Sequence, residues 1–307
     1  MRELYYITKR NCLVFLRDRS AVFFSMLSML IVLGLMVLFL GKMNSDGIVS
    51  VLGDFGERDT AADEWNATYL IQQWTLAGIL VVNAVTITLT VLGTMVQDET
   101  RKRILAFYVT PVSRTVLSLG YILASWIVGT VMCVLTLAVG ELYFVMRGYP
   151  MLSALSLVKL VGMIALNTFT FSTLGYLLAL FIRSDSAFSG VMTIIGTLVG
   201  FVGGIYISVG MFGKTLRHVL LCLPVLHGAS MMRQVCTDAA LAKTVAGLPD
   251  AAYDAFLEQL GEELGISLYW DGKLVPPVVS VLVLLGYAFL AIVIAALCNR
   301  NRRMKDR

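Results

Sequence analysis

Charge is what this sequence has least of. Only 14% of its 307 residues are Asp, Glu, Lys or Arg, and it carries two histidines; soluble domains average ~25% charged. The shortage is concentrated in six stretches, residues 21–40, 74–96, 116–139, 160–182, 189–209 and 275–297, which contain no Asp, Glu, Lys, Arg or His at all. Each is 20 to 24 residues long, enough to cross a hydrocarbon core that needs roughly 20 helical residues. Together with a mean hydropathy of +0.82, this excludes a soluble globular protein. In lipid every backbone polar group must pair internally, and unbroken apolar runs select helices over an alternating barrel. The expected fold class is an all-α membrane protein: six transmembrane helices with an N-terminal interfacial helix and an external re-entrant helical segment.

The other absences remove function classes. Five cysteines include no CxxC and no Cys/His pair at metal spacing, so neither a zinc site nor a disulfide framework is expected; of the five, Cys222 and Cys236 alone share the external side. The six stretches hold no ionisable group, which argues against an intramembrane hydrolase and against a proton- or sodium-coupled carrier. Gly213-Lys214-Thr215 looks like the end of a phosphate-binding loop, but Ser208 stands where that motif needs glycine. His218 and His227 lie nine apart with no acidic residue between them and read as packing residues. The chain is therefore not expected to be an enzyme and carries no catalytic, cofactor or metal residues of its own.

Lys and Arg set the orientation, because cytoplasmic loops keep them. Fifteen fall in the N-terminal segment, the first loop after a return to that side, residue 183 and the C-terminal tail; eight fall in the much longer opposite loops. Both termini are thus expected in the cytoplasm, at the plasma membrane, with no cleavable signal. The net charge of +4 reflects this collar and gives no reason to invoke nucleic acid. Residues 1–20 have Leu4, Ile7, Val14 and Phe15 among basic residues, a cytoplasmic interfacial helix preceding a six-span transmembrane domain over 21–307. In the external loop 210–274, "GMFGKTLRHVLLCLPVLHGASMMRQV" is too apolar for a free loop and too interrupted to span twice, so it is expected to re-enter the membrane. The following "PDAAYDAFLEQLGEELGISLYWDGKL" sets Tyr253, Phe256, Leu257, Leu260 and Leu264 at helical spacing, an acidic amphipathic helix.

Two patterns mark the spans. Asn83, Thr86, Thr90 and Thr94 form one polar stripe, with Asn167 and Thr170 as a smaller version; in lipid such a stripe either bonds a neighbouring helix or lines a translocation path. Gly196, Gly200 and Gly204 recur every four residues and predict close helix packing, within the fold or across a dimer.

Between the second and third spans the chain reads "QDETRKRILAFYVTPVSR". Pro111 stops a short helix over 104–108, since the residue before proline is pushed out of helical geometry. Ser113 or Thr110 can cap the span that follows. Arg101, Lys102, Arg103 and Arg114 can meet acidic groups on a partner, with Leu105, Phe107 and Tyr108 as an apolar anchor. On the residues alone, a positive-inside loop touching lipid headgroups is an equal reading.

"FLRDRSAVFF" before the first span, an acidic residue after the second (Glu99) followed by "TPVSRTVLSLGYILASWIVG", and the external "LPVLHGASMMRQ" resemble the six-span permease subunits of type-2 ABC exporters, including their drug- and antibiotic-resistance branch. Where that family often reads Gly-Thr-Leu-Glu after the acidic residue, this chain has Arg101-Lys102-Arg103-Ile104-Leu105. The resemblance implies a transmembrane subunit that moves substrate outward by alternating access. The coupling loop of Glu99, Arg101, Leu105, Tyr108, Thr110, Pro111, Ser113 and Arg114 would dock on separate ABC ATP-binding subunits. ATP and Mg would be bound by those partners, and a second permease copy or homologue would complete the pathway. The competing reading is a self-contained membrane channel or scaffold without an ATPase.

Overall fold

The computed structural model describes residues 2–35, 41–53, 55, 58–108 and 112–305. The protein is an all-α membrane protein, relieved by a single two-stranded antiparallel hairpin among the described residues, Tyr269–Trp270 with Lys273–Leu274. Helix α1 (Arg2–Arg17) buries Ile7, Thr8, Asn11 and Phe15 and leaves Tyr5, Tyr6 and Leu16 exposed, the division an interfacial helix needs. Asp18 accepts a hydrogen bond from the Ala21 amide at 3.0 Å and so caps α2 (Arg19–Leu35). Helix α2 covers the start of the first expected span; residues 36–40 lie outside the described residues.

Among the described residues five helices are long and apolar enough to cross a membrane, or six if a bent pair of helices counts as one span. The five are α4 (Thr60–Thr100), α6 (Arg114–Met146), α7 (Ala154–Ala179), α8 (Asp185–Val202) and the first 23 residues of α12 (Pro277–Lys305). The remaining helices are α3 (Gly41–Gly53), α5 (Leu105–Tyr108), α9 (Lys214–Leu221), α10 (Pro224–Thr244) and α11 (Asp250–Glu263). In α4 and α6 the charge-free stretch marks only the apolar middle of a longer helix. Helix α4 has 41 residues, ~60 Å at 1.5 Å per residue, twice the hydrocarbon thickness. Its outer turns, capped by Asp59 through the amides of Ala61 and Ala62 at 3.1 and 3.3 Å, together with α3 fill much of what reads as a loop over 41–73.

Helix α4 is the axis of the fold: α10, α6, α7, α3, α8, α2 and α1 all pack on it. Lipid gives helices no hydrophobic reason to associate, so close van der Waals contact and interhelical hydrogen bonds must do so. Both are present. A Cβ added at Gly129 or Gly140 of α6, or Gly175 of α7, would lie 2.7, 2.6 and 2.8 Å from Thr88, Leu76 and Leu92 of α4. Ser125 of α6 donates to the Thr88 carbonyl at 2.9 Å and shares a 3.0 Å bond with Ser172 of α7.

The glycine reading of the fifth span needs correction. Helix α8 ends at Val202, and Gly204 lies beyond it at φ +68°. Its amide donates to the Phe201 carbonyl and that of Ile205 to the Gly200 carbonyl, both at 2.9 Å, a left-handed helix cap that glycine adopts without strain. Gly196 faces Thr86 of α4, with a would-be Cβ 3.8 Å from its methyl, and Gly200 takes the Tyr206 ring. The three glycines therefore serve three different contacts, because a run of small residues continued past the helix end.

Helices α9 and α10 meet at 88°. Leu223, Pro224 and Val225 at the bend share a cavity wall with Leu89 of α4, Phe171 of α7 and Val199 of α8, residues well inside the apolar stretches; the segment thus enters the membrane and turns back. Pro224 suits the first position of α10, where its missing N–H leaves no bond unmade. His227 bridges the Leu221 carbonyl (2.8 Å) and the Ser280 hydroxyl (2.9 Å) of α12. Further out, Arg233 is fully buried. Its Nη2 donates to the carbonyls of Gly203 (2.8 Å) and Gly204 (2.9 Å), and its guanidinium lies 4.6 Å over the Trp74 ring. Trp74 Nε1 donates to the Leu264 carbonyl at 2.6 Å. The outer end of α4 is thereby tied to the end of α8, to α10 and to the segment after α11. Cys222 is exposed, Cys236 is buried, and the two are not bonded.

Candidate functional site

The turn at the C-terminal end of α4 is compact. The Arg101 amide donates to the Gln97 carbonyl (2.9 Å), Lys102 to Glu99 (3.1 Å) and Ile104 to Asp98 (3.1 Å). Lys102 sits at φ +56°, a left-handed position that costs a non-glycine residue about 1 kcal/mol or more. The four-residue helix α5 follows with Leu105 half exposed. Ser113 caps α6, its Oγ accepting from the Val116 amide at 3.3 Å. Thr110 and Pro111, assigned to the coupling loop from the sequence, lie outside the described residues. Tyr108 closes α5, and Arg114 opens α6. Glu99 is half buried and Arg101 exposed.

Directly beneath this turn lies a residue the sequence reading passed over. Asp98 is 2% exposed. One oxygen accepts from Arg10 Nη2 of α1 at 2.9 Å; the other accepts from Arg10 Nη1 and, at 2.7 Å, from the Tyr121 hydroxyl of α6. The carboxylate holds the Arg10 guanidinium even more firmly protonated than usual, outweighing the opposing effect of burial. Helix α1, the C-terminal end of α4 and the start of α6 are thus joined at one carboxylate. The signal was available: Asp98 stands three residues after buried Met95 and seven after buried Val91, on the face that packs inward. Glu141 was missed for a similar reason. It is two residues beyond a charge-free stretch, yet it is buried, accepting from the Leu152 amide at 3.0 Å.

The polar stripe of α4 divides. Asn83 is buried and donates to Thr136 Oγ1 of α6 at 3.1 Å, so it serves as an interhelical bond. Thr86, Thr90 and Thr94 are only partly buried; each hydroxyl donates to a carbonyl of its own helix, at 2.9, 2.8 and 2.7 Å. They run along the one face of α4 that the chain leaves open, with Val82, Gly93 and Gln97. Helix α8 adds a second row that the sequence reading did not single out: exposed Ser189, Thr193 and Thr197, with Thr193 donating to Ser189 and Thr197 to Thr193 carbonyls at 3.0 and 2.9 Å. The Gly196 contact to Thr86 sets the two rows side by side. The opposite side of this seam is apolar, a cavity of about 320 Å³ between Val85, Leu89, Ile195 and Leu198. Asn167 does not reach the open face; it donates to the Met163 carbonyl at 3.0 Å and packs against Gly228 of α10.

Among the described residues no group of three His, Cys, Asp or Glu side chains is placed to hold a metal ion. Lys214 of the phosphate-loop look-alike instead pairs with Asp271 at 3.1 Å, which keeps that exposed carboxyl below its ordinary range.

The family described as "ABC-2 family transporter protein" matches residues 59–297, from the cap of α4 to the end of the apolar part of α12. The chain belongs to this family and is a multi-pass membrane permease of the ABC transporter type, a class that associates with ABC ATP-binding subunits. No curated protein matches it significantly.

Proposed function

We propose that this chain is the transmembrane subunit of an ATP-driven exporter. A separate nucleotide-binding subunit, with its ATP and Mg, docks on the turn at 101–105, and both termini lie on that cytoplasmic side. The observation that carries this is the placement of the turn directly on the Asp98 junction, so that force applied at Arg101 or Leu105 reaches α1, α4 and α6 together. Such force would come from differential binding of ATP to two arrangements of the complex. The open α4–α8 face, with its two rows of hydroxyls and no charge, suits a pathway completed by a second copy or homologue. It also suits neutral or amphipathic cargo of the kind the drug-resistance branch exports. Intramolecularly satisfied hydroxyls are stable in lipid and still offer acceptor lone pairs to a passing solute.

The test is co-purification of an ATPase with the intact chain from its own cells. The reading predicts a stoichiometric nucleotide-binding subunit, released by Leu105→Asp or Arg101→Glu. A chain that purifies alone and conducts solute without ATP would instead be the self-contained channel.

A further inference from the structure

A second cavity, about 280 Å³ in volume, opens to lipid at the same end of the molecule as the coupling turn. Helices α6 and α12 both pack along α7 but touch each other only briefly, which leaves a groove between them. At its terminus-side end stand Arg114, Ser118, Tyr176 and Asn299. These groups form a built polar cluster: Tyr176 donates to Ser118 at 2.5 Å, and Asn299 Nδ2 donates to Ser118 at 3.0 Å and to Tyr176 at 3.3 Å. Deeper in the membrane the walls become apolar and lipid-exposed, with Leu119, Ile292 and Ala296. From Arg114 to Ile122 the groove runs eight residues of α6, ~12 Å.

We propose that this groove binds one anionic phospholipid, its headgroup at Arg114 and the Ser118–Asn299 cluster and an acyl chain against Leu119, Ile292 and Ala296. Polar at one end and apolar along its length, the groove has the division of a lipid and not that of a protein surface. Charge selects the headgroup. Arg114 is the charged residue among those lining the groove, and a basic residue near an anionic surface strengthens binding about fivefold. The groove uses none of the α4–α8 face, so the assignment stands apart from the export reading; only the name of the leaflet, cytoplasmic, rests on it. Because Arg114 also ends the coupling segment, an occupied groove would fix the start of α6 against α12.

The experiment titrates the intact chain, with any subunit that co-purifies, with phosphatidylglycerol, phosphatidylcholine or glycerol 3-phosphate. Bound lipid is counted by native mass spectrometry and the unfolding midpoint followed. One phosphatidylglycerol retained per chain, a larger midpoint rise with it than with phosphatidylcholine, and no rise with glycerol 3-phosphate are expected. Ala296→Trp and, independently, Leu119→Trp fill the groove from lipid-exposed positions and should remove that one lipid while unfolding stays cooperative. Arg114→Gln should lower the preference for phosphatidylglycerol about fivefold. Equal retention of the two lipids, stabilisation by glycerol 3-phosphate alone, retention undiminished in both Trp variants, or cross-linking of two copies through Ala296→Cys would each overturn the assignment.

Discussion

The two ends of α4 are both fastened, but the ties are arranged differently. At the outer end Trp74 gives its indole N–H to the Leu264 carbonyl and its ring face to Arg233, which in turn holds two carbonyls at the end of α8. Carboxylates take part there too, Asp63 accepting from Arg58 at 2.7 and 2.8 Å and Glu141 from Gln73 at 3.5 Å, and the contacts reach several unrelated segments. At the inner end a single carboxylate, Asp98, gathers Arg10 and Tyr121. Moving the outer end would break many bonds to parts that do not move together. On the proposed function the inner end shifts as a unit, since the Asp98 ion pair joins it to α1 and the start of α6. A helix anchored by distributed contacts outside and a concentrated one inside is suited to tilt from within, under force from the short turn next to Asp98.

Four changes probe this contrast, in falling order of expected effect. Asp98→Asn leaves Arg10 without its counter-charge and should lower stability by about 3 kcal/mol, the low end for losing one partner of a buried pair, since Arg10 is partly exposed. Thermal unfolding checks this, and a double-mutant cycle with Arg10→Met should recover a substantial coupling energy. Arg233→Met should cost about 2 kcal/mol by orphaning the Gly203 and Gly204 carbonyls, while leaving ATP hydrolysis by the bound subunit responsive to the permease; loss of that response would erase the distinction between the ends. Thr90→Val with Thr193→Val should change stability by less than about 0.5 kcal/mol, yet alter transport if these rows border the pathway. Lys102→Gly relieves the left-handed position and should raise stability by at most about 1 kcal/mol, measured as a shift in unfolding midpoint.

Much of the fold is legible in the sequence because lipid imposes a simple code. Absence of charge over about 20 residues marks a crossing, and the apolar but proline-broken stretch around Leu223-Pro224 marks the bent re-entrant pair. The amphipathic spacing of Phe256, Leu260 and Leu264 likewise corresponds to α11 and its C-cap, Leu264, and all three are buried. What stays hidden are contacts that depend on which face points inward. Asp98 and Glu141 lie just outside charge-free stretches and look like solvated flanks; their burial follows from helices that run on past the hydrocarbon. Asn83 and Thr86 share a stripe in the sequence but part in space, since one meets α6 and the other the open face. Gly204 fits a four-residue repeat yet ends a helix, because spacing carries no information about φ. The close approaches at Gly129, Gly140 and Gly175 depend on pairing with α4, which no local pattern encodes.

The central claim is that the Asp98 junction transmits events at the inner turn to the open face of α4. It is tested most directly by labelling Thr90→Cys with a thiol reagent in the assembled complex, with and without ATP, in a background where exposed Cys222 is Ser. The account predicts that ATP changes the labelling rate and that Asp98→Asn abolishes the change while the ATPase subunit remains bound. Labelling indifferent to ATP, or equally responsive in Asp98→Asn, would contradict it.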